Sequence, residues 1–407
     1  MQARSGRRST FTSYSSARGG MRVVNMKQID TSMRSLARLR GPLPQEKRWM
    51  SACRFLMDGS VRVDADDPSA SVPPGPGEVS VTLHTAPCTQ ADLRTIAAAK
   101  SHNSPNLQRP SVPVPPHLKF AFPFVGGSEG LWEVNALGEG VSSFRRGDLA
   151  VPIVSGKPPG TSPELGTWRT SATFAEASLV RVAGEGAGGR VGGRVEPTVL
   201  AHTSASIATA LRVLEDFTPK ALEAGDRVVF TGASTVVAQF LLQLAAARGL
   251  ETVCLVSDDE EAERATKLGA WKVTLLKEFK AMRMDNACLV ADGEGGVLGF
   301  TAARALRFRG FFVSYADVSG GGISLPVAGQ IFRDTRCRGF SLQRWASKRT
   351  PEEARALAER SLEAAAGLRL ECVQEFDLEE AESAIEAARA PSGGPVIFRG
   401  CNTRSNA

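Results

Sequence analysis

The chain has 407 residues, 42% hydrophobic and 23% charged, which allows two or three domains and excludes wholesale disorder. Its formal charge of +6 is unevenly placed: residues 1–50 hold 11 Lys and Arg against two acids, Asp30 and Glu46. The remainder carries 38 basic and 41 acidic residues, so the body has no general positive charge that would favour nucleic acid.

The first fifty residues are rich in Arg and Ser and contain no apolar core segment of a secretory signal. That composition fits an organelle transit peptide, for the mitochondrial matrix or alternatively a plastid; a plain basic tail is the other reading. No apolar run reaches about 18 residues, so no membrane span is expected. The seven cysteines, Cys53, Cys88, Cys254, Cys288, Cys337, Cys372 and Cys401, form no C-x-x-C pair. Their odd number argues against a disulfide framework or a structural zinc lobe. The four histidines are too dispersed to suggest a metal site.

Residues 51–83 read as short extended pieces around a Pro/Gly turn, with a strand at Val79 to Leu83. A helix is predicted over Ala91 to Ala99, followed by a Pro-, Ser- and Asn-rich loop at 101–119. Phe124 to Val134 reads as an extended apolar segment, Leu149 to Ile153 as a strand, and the stretch to Val182 as a strand pair. This is the pattern of a β-rich domain. A Gly-rich tract at 183–194 marks a flexible boundary.

The pattern then changes. Helical periodicity is predicted over Ala201 to Leu214, Val236 to Arg248, Asp259 to Leu268 and Leu298 to Arg307. Strands are predicted at Arg227 to Phe230, Thr252 to Val256, Ala287 to Val290 and Phe311 to Tyr315. Such alternation implies a doubly wound parallel sheet. Helices at Glu352 to Ala365 and Leu378 to Ala390 and a strand at Val396 to Arg399 complete the chain.

A strand entering a helix through a Gly-rich turn can bind pyrophosphate, because backbone N–H groups at the helix start point at the anion. Here the turn is Thr231-Gly232-Ala233-Ser234-Thr235-Val236-Val237-Ala238. Gly232, Ser234, Thr235, Val236 and Val237 are therefore cofactor-site candidates, although the branched Val236 would crowd a pyrophosphate. At the end of the next strand, Ser257 and Asp258 stand where a residue contacts the ribose. No positive charge is present there for a 2′-phosphate, so the local charge favours NADH over NADPH. Asp258 would equally cap the following helix.

These features become specific in combination. Gly126-Gly127-Ser128-Glu129-Gly130, FRRGDLA at Phe144 to Ala150 and LGTWRT at Leu165 to Thr170 resemble the medium-chain dehydrogenase/reductase superfamily. With Ala86-Pro87 to Asp92 and Ile331-Phe332-Arg333-Asp334 through Arg338-Gly339-Phe340 to Trp345, they resemble its mitochondrial trans-2-enoyl thioester reductases. The similarity runs from about residue 78 to about residue 400. It implies a GroES-like catalytic domain (51–198, returning at 346–407) around a Rossmann-type domain (199–345). It also implies NADPH-dependent reduction of an enoyl thioester carried on CoA or acyl carrier protein, as in fatty acid synthesis, and often a homodimer.

Zinc is not expected, because Thr89 and Ser128 occupy the places of the superfamily's Cys and His ligands. The resemblance places Lys100 where the family's active-site tyrosine stands and Ser206 where it has asparagine, so these two are the catalytic candidates. Tyr315 and Phe340 join the cofactor candidates. Glu129, Trp168 and Arg169 read either as site residues, with Trp168 at the domain interface and Arg169 toward an anionic cofactor or carrier, or as a buried structural carboxylate, a core aromatic and a surface salt bridge. The departures at Lys100, Ser206, Val236 and Ser257–Asp258 keep two alternatives open. One is a non-catalytic relative serving in a mitochondrial assembly, and the other is a quinone reductase.

Overall fold

The computed structural model describes residues 51–57, 60–64, 72–103, 119–157, 159–161, 165–182, 195–282, 284–390 and 393–400, with backbone alone for 100–103. The basic segment 1–50, most of the predicted loop (104–118) and the Gly-rich tract 183–194 lie outside the described residues.

The N-terminal half runs β1 (Ala52–Phe55), β2 (Val61–Asp64), β3 (Glu78–Cys88), helix α1 (Gln90–Asn103), β4 (Phe124–Val125), β5 (Leu131–Leu137), β6 (Leu149–Pro152), β7 (Ser171–Ala175) and β8 (Leu179–Val182). Strands β2-β1-β4 make a small antiparallel sheet. Helix α1 extends beyond the predicted Ala99 and carries Lys100 in its last turn. The expected extended run from Phe124 is broken by the Gly126–Gly130 turn. The expected strand pair near Val182 is not one: β7 pairs with β3, whereas β8 pairs with β6.

The chain continues through α2 (Pro197–Leu200), a π-turn at Thr203–Ile207 and α3 (Ala208–Glu215), where one continuous helix was expected. It then alternates: β9 (Arg227–Thr231), α4 (Val236–Ala247), β10 (Glu251–Val256), α5 (Asp259–Lys267), β11 (Lys272–Leu275), α6 (Leu276–Ala281), β12 (Ala287–Asp292), α7 (Gly296–Ala303), β13 (Leu306–Ser314), α8 (Val327–Arg333) and β14 (Arg336–Gly339). All six strands are parallel, in the order β11-β10-β9-β12-β13-β14. Strands β9, β10 and β12 are nearly continuous apolar runs because helices cover both faces.

Two further helices, α9 (Leu342–Ala346) and α10 (Pro351–Ala365), lead to β15 (Gln374–Asp377), α11 (Ala381–Arg389) and β16 (Val396–Arg399). Thr350 and Glu353 close a capping box at the start of α10, with Pro351 preset for its first turn. Strand β16 then pairs with β3, completing a seven-stranded sheet in the order β15-β16-β3-β5-β6-β8 with β7 added on β3. The chain end thus returns to its N-terminal half. One core cluster joins the sheets: Leu131, Val151 and Val180 pack with Leu200, Ile207, Phe230 and Phe240.

Candidate active site

In a doubly wound sheet, ligands settle at the carboxyl ends of the strands where the order reverses. Here that point lies between β9 and β12. Strand β9 ends at Thr231 and turns through Gly232, whose φ of +71° suits glycine. The Thr231 hydroxyl donates to Asp292 Oδ1 (2.6 Å) and accepts from the Gly293 N–H (3.0 Å), tying the two strand ends together.

The donors expected to meet a pyrophosphate are partly committed within the chain. The Ala233 N–H donates to Glu261 Oε1 at 3.2 Å, and the Ser257 N–H donates to Glu261 Oε2 at 3.0 Å. Thr235 caps α4 by accepting from the Ala238 N–H at 3.2 Å. Asp258 caps α5 by accepting from the Glu261 N–H at 2.9 Å. Val236 and Val237 are partly buried and line the neighbouring cavity with Ser234.

Glu294, just past β12, lies over the turn. A Cβ added to Gly232 would stand 2.4 Å from Glu294 Oε1 and 2.9 Å from its Cγ. The space that glycine leaves open therefore holds a carboxyl side chain of the same protein. Burial pushes this carboxyl up to about 8, aided by the charges of Glu261 and Asp292 and opposed by a Ser234 hydrogen bond and Arg94. Asp292 is also raised, chiefly by burial. Glu294 Oε1 and Asp292 Oδ2 are buried without a hydrogen-bond partner among the described residues. Arg94, from α1, is lowered by burial, while Asp317 and Glu294 oppose that shift. With Glu294 in this position the space beside Gly232 is filled by the chain itself, and a pyrophosphate fits there only after this side chain moves.

Beside this corner run two cavities with shared walls. The larger, about 310 Å³, is lined by Arg94, Leu165, Phe174, Tyr315, Phe340 and Leu342, among others. The smaller, about 150 Å³, reaches Ser206, Ser234, Val236 and Pro395. Gln90, Ser128, Ala205 and Tyr315 border both. The Tyr315 hydroxyl lies against Gly293, and burial raises its phenol. Phe340 meets Phe217 edge-on, with ring centroids 5.8 Å apart. The backbone of Lys100 lies on α1, not in a solvated loop; its side chain is outside the described residues.

Glu129 binds the N-terminal half to the π-turn. Its Oε2 accepts from the Ala205 and Ser206 N–H groups at 2.9 and 3.0 Å. Its Oε1 accepts from the Ser206 hydroxyl at 2.5 Å and lies 3.2 Å from His202 Nδ1. Burial alone would raise this carboxyl, but the His202 and Ser206 contacts bring it below the usual carboxylate range. Ser206 is thus engaged in holding Glu129. Of its two readings Trp168 takes the core one: fully buried, it donates to the Pro87 carbonyl at 2.8 Å and packs on Phe55 and Phe398. Arg169 is buried above Phe174. The Thr89 hydroxyl donates to Asp92 at 2.6 Å, and burial pushes that carboxyl up to about 6.

Glu294, Glu261, Asp292 and Arg94 were not among the sequence candidates. The signal for Glu294 was an acid in the Gly293-Glu294-Gly295-Gly296 turn after a strand at the switch point. No family model matches the chain. Solved structures assign it to the medium-chain dehydrogenase/reductase fold. A mutant enoyl thioester reductase of Candida tropicalis has a TM-score of 0.66 at 18% identity, over 86% of this chain and 99% of that one. A Pseudomonas syringae quinone oxidoreductase has a TM-score of 0.63 at 20% identity, with the same coverage.

Sequence similarity narrows the class. The Arabidopsis thaliana mitochondrial enoyl-acyl-carrier-protein reductase is 30% identical over 291 residues, 69% of this chain and 68% of that protein. The human counterpart is 29% identical over 282 residues, 66% of this chain and 70% of that protein. The chain belongs to the family of the mitochondrial enoyl-acyl-carrier-protein reductases.

Proposed function

We propose that this chain is an oxidoreductase that saturates the double bond of a 2-enoyl thioester, with NADPH or NADH as reductant. The observation that carries this reading is the joined pair of cavities beside the β9–β12 switch point in a member of this family. The larger cavity has an apolar wall of Leu165, Phe174, Phe340 and Leu342, suited to an acyl chain. One neighbouring structure is a complex with NADP and crotonyl-CoA, which supports the same assignment by family analogy.

The dinucleotide would supply a hydride when bound. Its pyrophosphate does not fit while Glu294 covers Gly232. The chain's own groups have narrower roles. Tyr315 and Phe340 shape the cavity wall, Glu129 fixes the Ser206 turn beside it, and Lys100 is assigned as a donor toward the thioester. The test is reduction of crotonyl-CoA and of a crotonyl carrier protein, followed by loss of NADPH or NADH absorbance. Steady turnover supports the reading; none with any combination overturns it.

The acid corner favours a second reading, in which the scaffold is retained without catalysis. That reading requires no dinucleotide binding even after Glu294 is removed. We further assign a mitochondrial role in fatty acid synthesis, zinc-independent chemistry, and the domain division 51–198, 199–345 and 346–407. A second copy of the chain is the proposed partner: all of β14 is exposed at the sheet edge, beside Val327, Ile331 and Phe332 of α8 (63, 67 and 79% exposed). Sedimentation of the Phe332→Asp variant as a monomer, against a wild-type dimer, would support that partner. A monomeric wild type would remove it.

A further inference from the structure

We infer that Glu294 determines what the nucleotide corner accepts: its side chain is a built-in competitor for the dinucleotide pyrophosphate, which binds only by displacing it. The inference rests on the proposed reductase reading and adds the residue that limits its cofactor.

The geometry is specific. Gly232 keeps the turn open, but Glu294 Oε1 stands 2.4 Å from the Cβ that glycine lacks. That same oxygen is buried without a hydrogen-bond partner among the described residues. A side chain so placed excludes a second anion by volume and by charge. Its attachment favours exchange. Glu294 sits on a loop between β12 and α7, and its carboxyl end, not backbone, fills the space.

The groups facing it define how its charge is felt. Glu261 comes from α5, Asp292 from the end of β12, Tyr315 follows β13 and Cys254 lies on β10. Arg94 from α1 is the opposing cation, itself shared with Asp317. Once displaced, Glu294 no longer adds its charge to the corner, where Glu261 and Asp292 face Arg94. Moved toward solvent, its carboxyl returns toward its ordinary proton affinity, so below about pH 8 displacement releases a proton. Dinucleotide affinity therefore rises with pH and levels off above about pH 8.

The experiment measures NADPH binding calorimetrically to the full chain, its Glu294→Gln variant and its Glu294→Ala variant, at about pH 7 and pH 9.5. The wild type is expected to gain about tenfold in affinity between the two. Glu294→Gln keeps the shape without the charge and should hold its affinity to within about threefold. Glu294→Ala opens the turn and should bind at least about tenfold more tightly than the wild type at the lower pH. A flat wild type with no gain in Glu294→Ala overturns the inference. So does absence of binding in all three, because truncation should open the corner. Crotonyl-CoA reduction separates the two ideas. Turnover with a flat profile removes the inference and leaves the reductase, whereas the expected binding pattern without turnover removes the reductase and leaves the inference.

Discussion

Replacing Glu294 by glutamine tests the acid corner without any ligand. The Glu294 carboxyl is pushed up to about 8 from an ordinary 4.5, mainly by burial and then by Glu261 and Asp292. The folded protein therefore holds this proton more tightly than the unfolded chain. Its contribution to stability is complete below the unfolded value and is lost as pH rises through the folded one. Each tenfold gain in proton affinity on folding is worth about 1.4 kcal/mol, so the full loss is at most about 5 kcal/mol. Rearrangement of the side chain toward Arg94 or solvent reduces this, and about 2–4 kcal/mol is expected. Glutamine fills nearly the same volume and has no proton to lose. Urea unfolding of both proteins at pH 5, 7 and 9 should show the variant gaining on the wild type by that amount, with most of the gain made by pH 8. Stability curves that stay parallel within about 0.5 kcal/mol across this range would refute the placement of Glu294 in the acid corner.

Glu129→Ala should cost about 3 kcal/mol or more, because two buried N–H groups and the Ser206 hydroxyl lose their acceptor; Glu129→Gln should recover part of it in the same unfolding assay. Because the Glu129 carboxyl is held below its ordinary value, the stability it adds is present above that value and is lost as pH falls through its folded one. Thr231→Val should cost about 1–3 kcal/mol by leaving Asp292 and the Gly293 N–H without their shared partner, again read by urea unfolding. Gly126→Ala would bring a methyl to 2.5 Å from the Trp168 ring, and a loss of about 1–3 kcal/mol with red-shifted tryptophan emission is expected.

The architecture was legible where the pattern was strong. Apolar runs such as Arg227–Phe230 and Thr252–Val256, separated by helices with Gly249 and Gly269 at their ends, defined the parallel sheet. The shorter β11 and β14 did not stand out: β11 has four residues, only one of them buried, and β14 is wholly exposed. The break at Thr203–Ile207 was also hidden, because its cause is Glu129, more than seventy positions earlier in the chain. Candidate residues around Gly232 were visible from turn chemistry, and Asp258 proved to cap a helix as its position allowed. Glu294 escaped notice for a physical reason. A glutamate between glycines reads as a solvated loop residue, and only the sheet order reveals that this loop faces the β9 turn. Trp168 took the second of its two readings, a core aromatic, which a motif string alone does not separate from a place between domains.

The Glu129 contact has a mechanical consequence. It joins the loop before β5 to the turn before α3 at a point that borders the smaller cavity. Pulling the two apart would strand a buried carboxylate and several amide donors at once, so this junction behaves as an axle. An opening of the cleft that keeps these hydrogen bonds must therefore leave the Ser206 side in place.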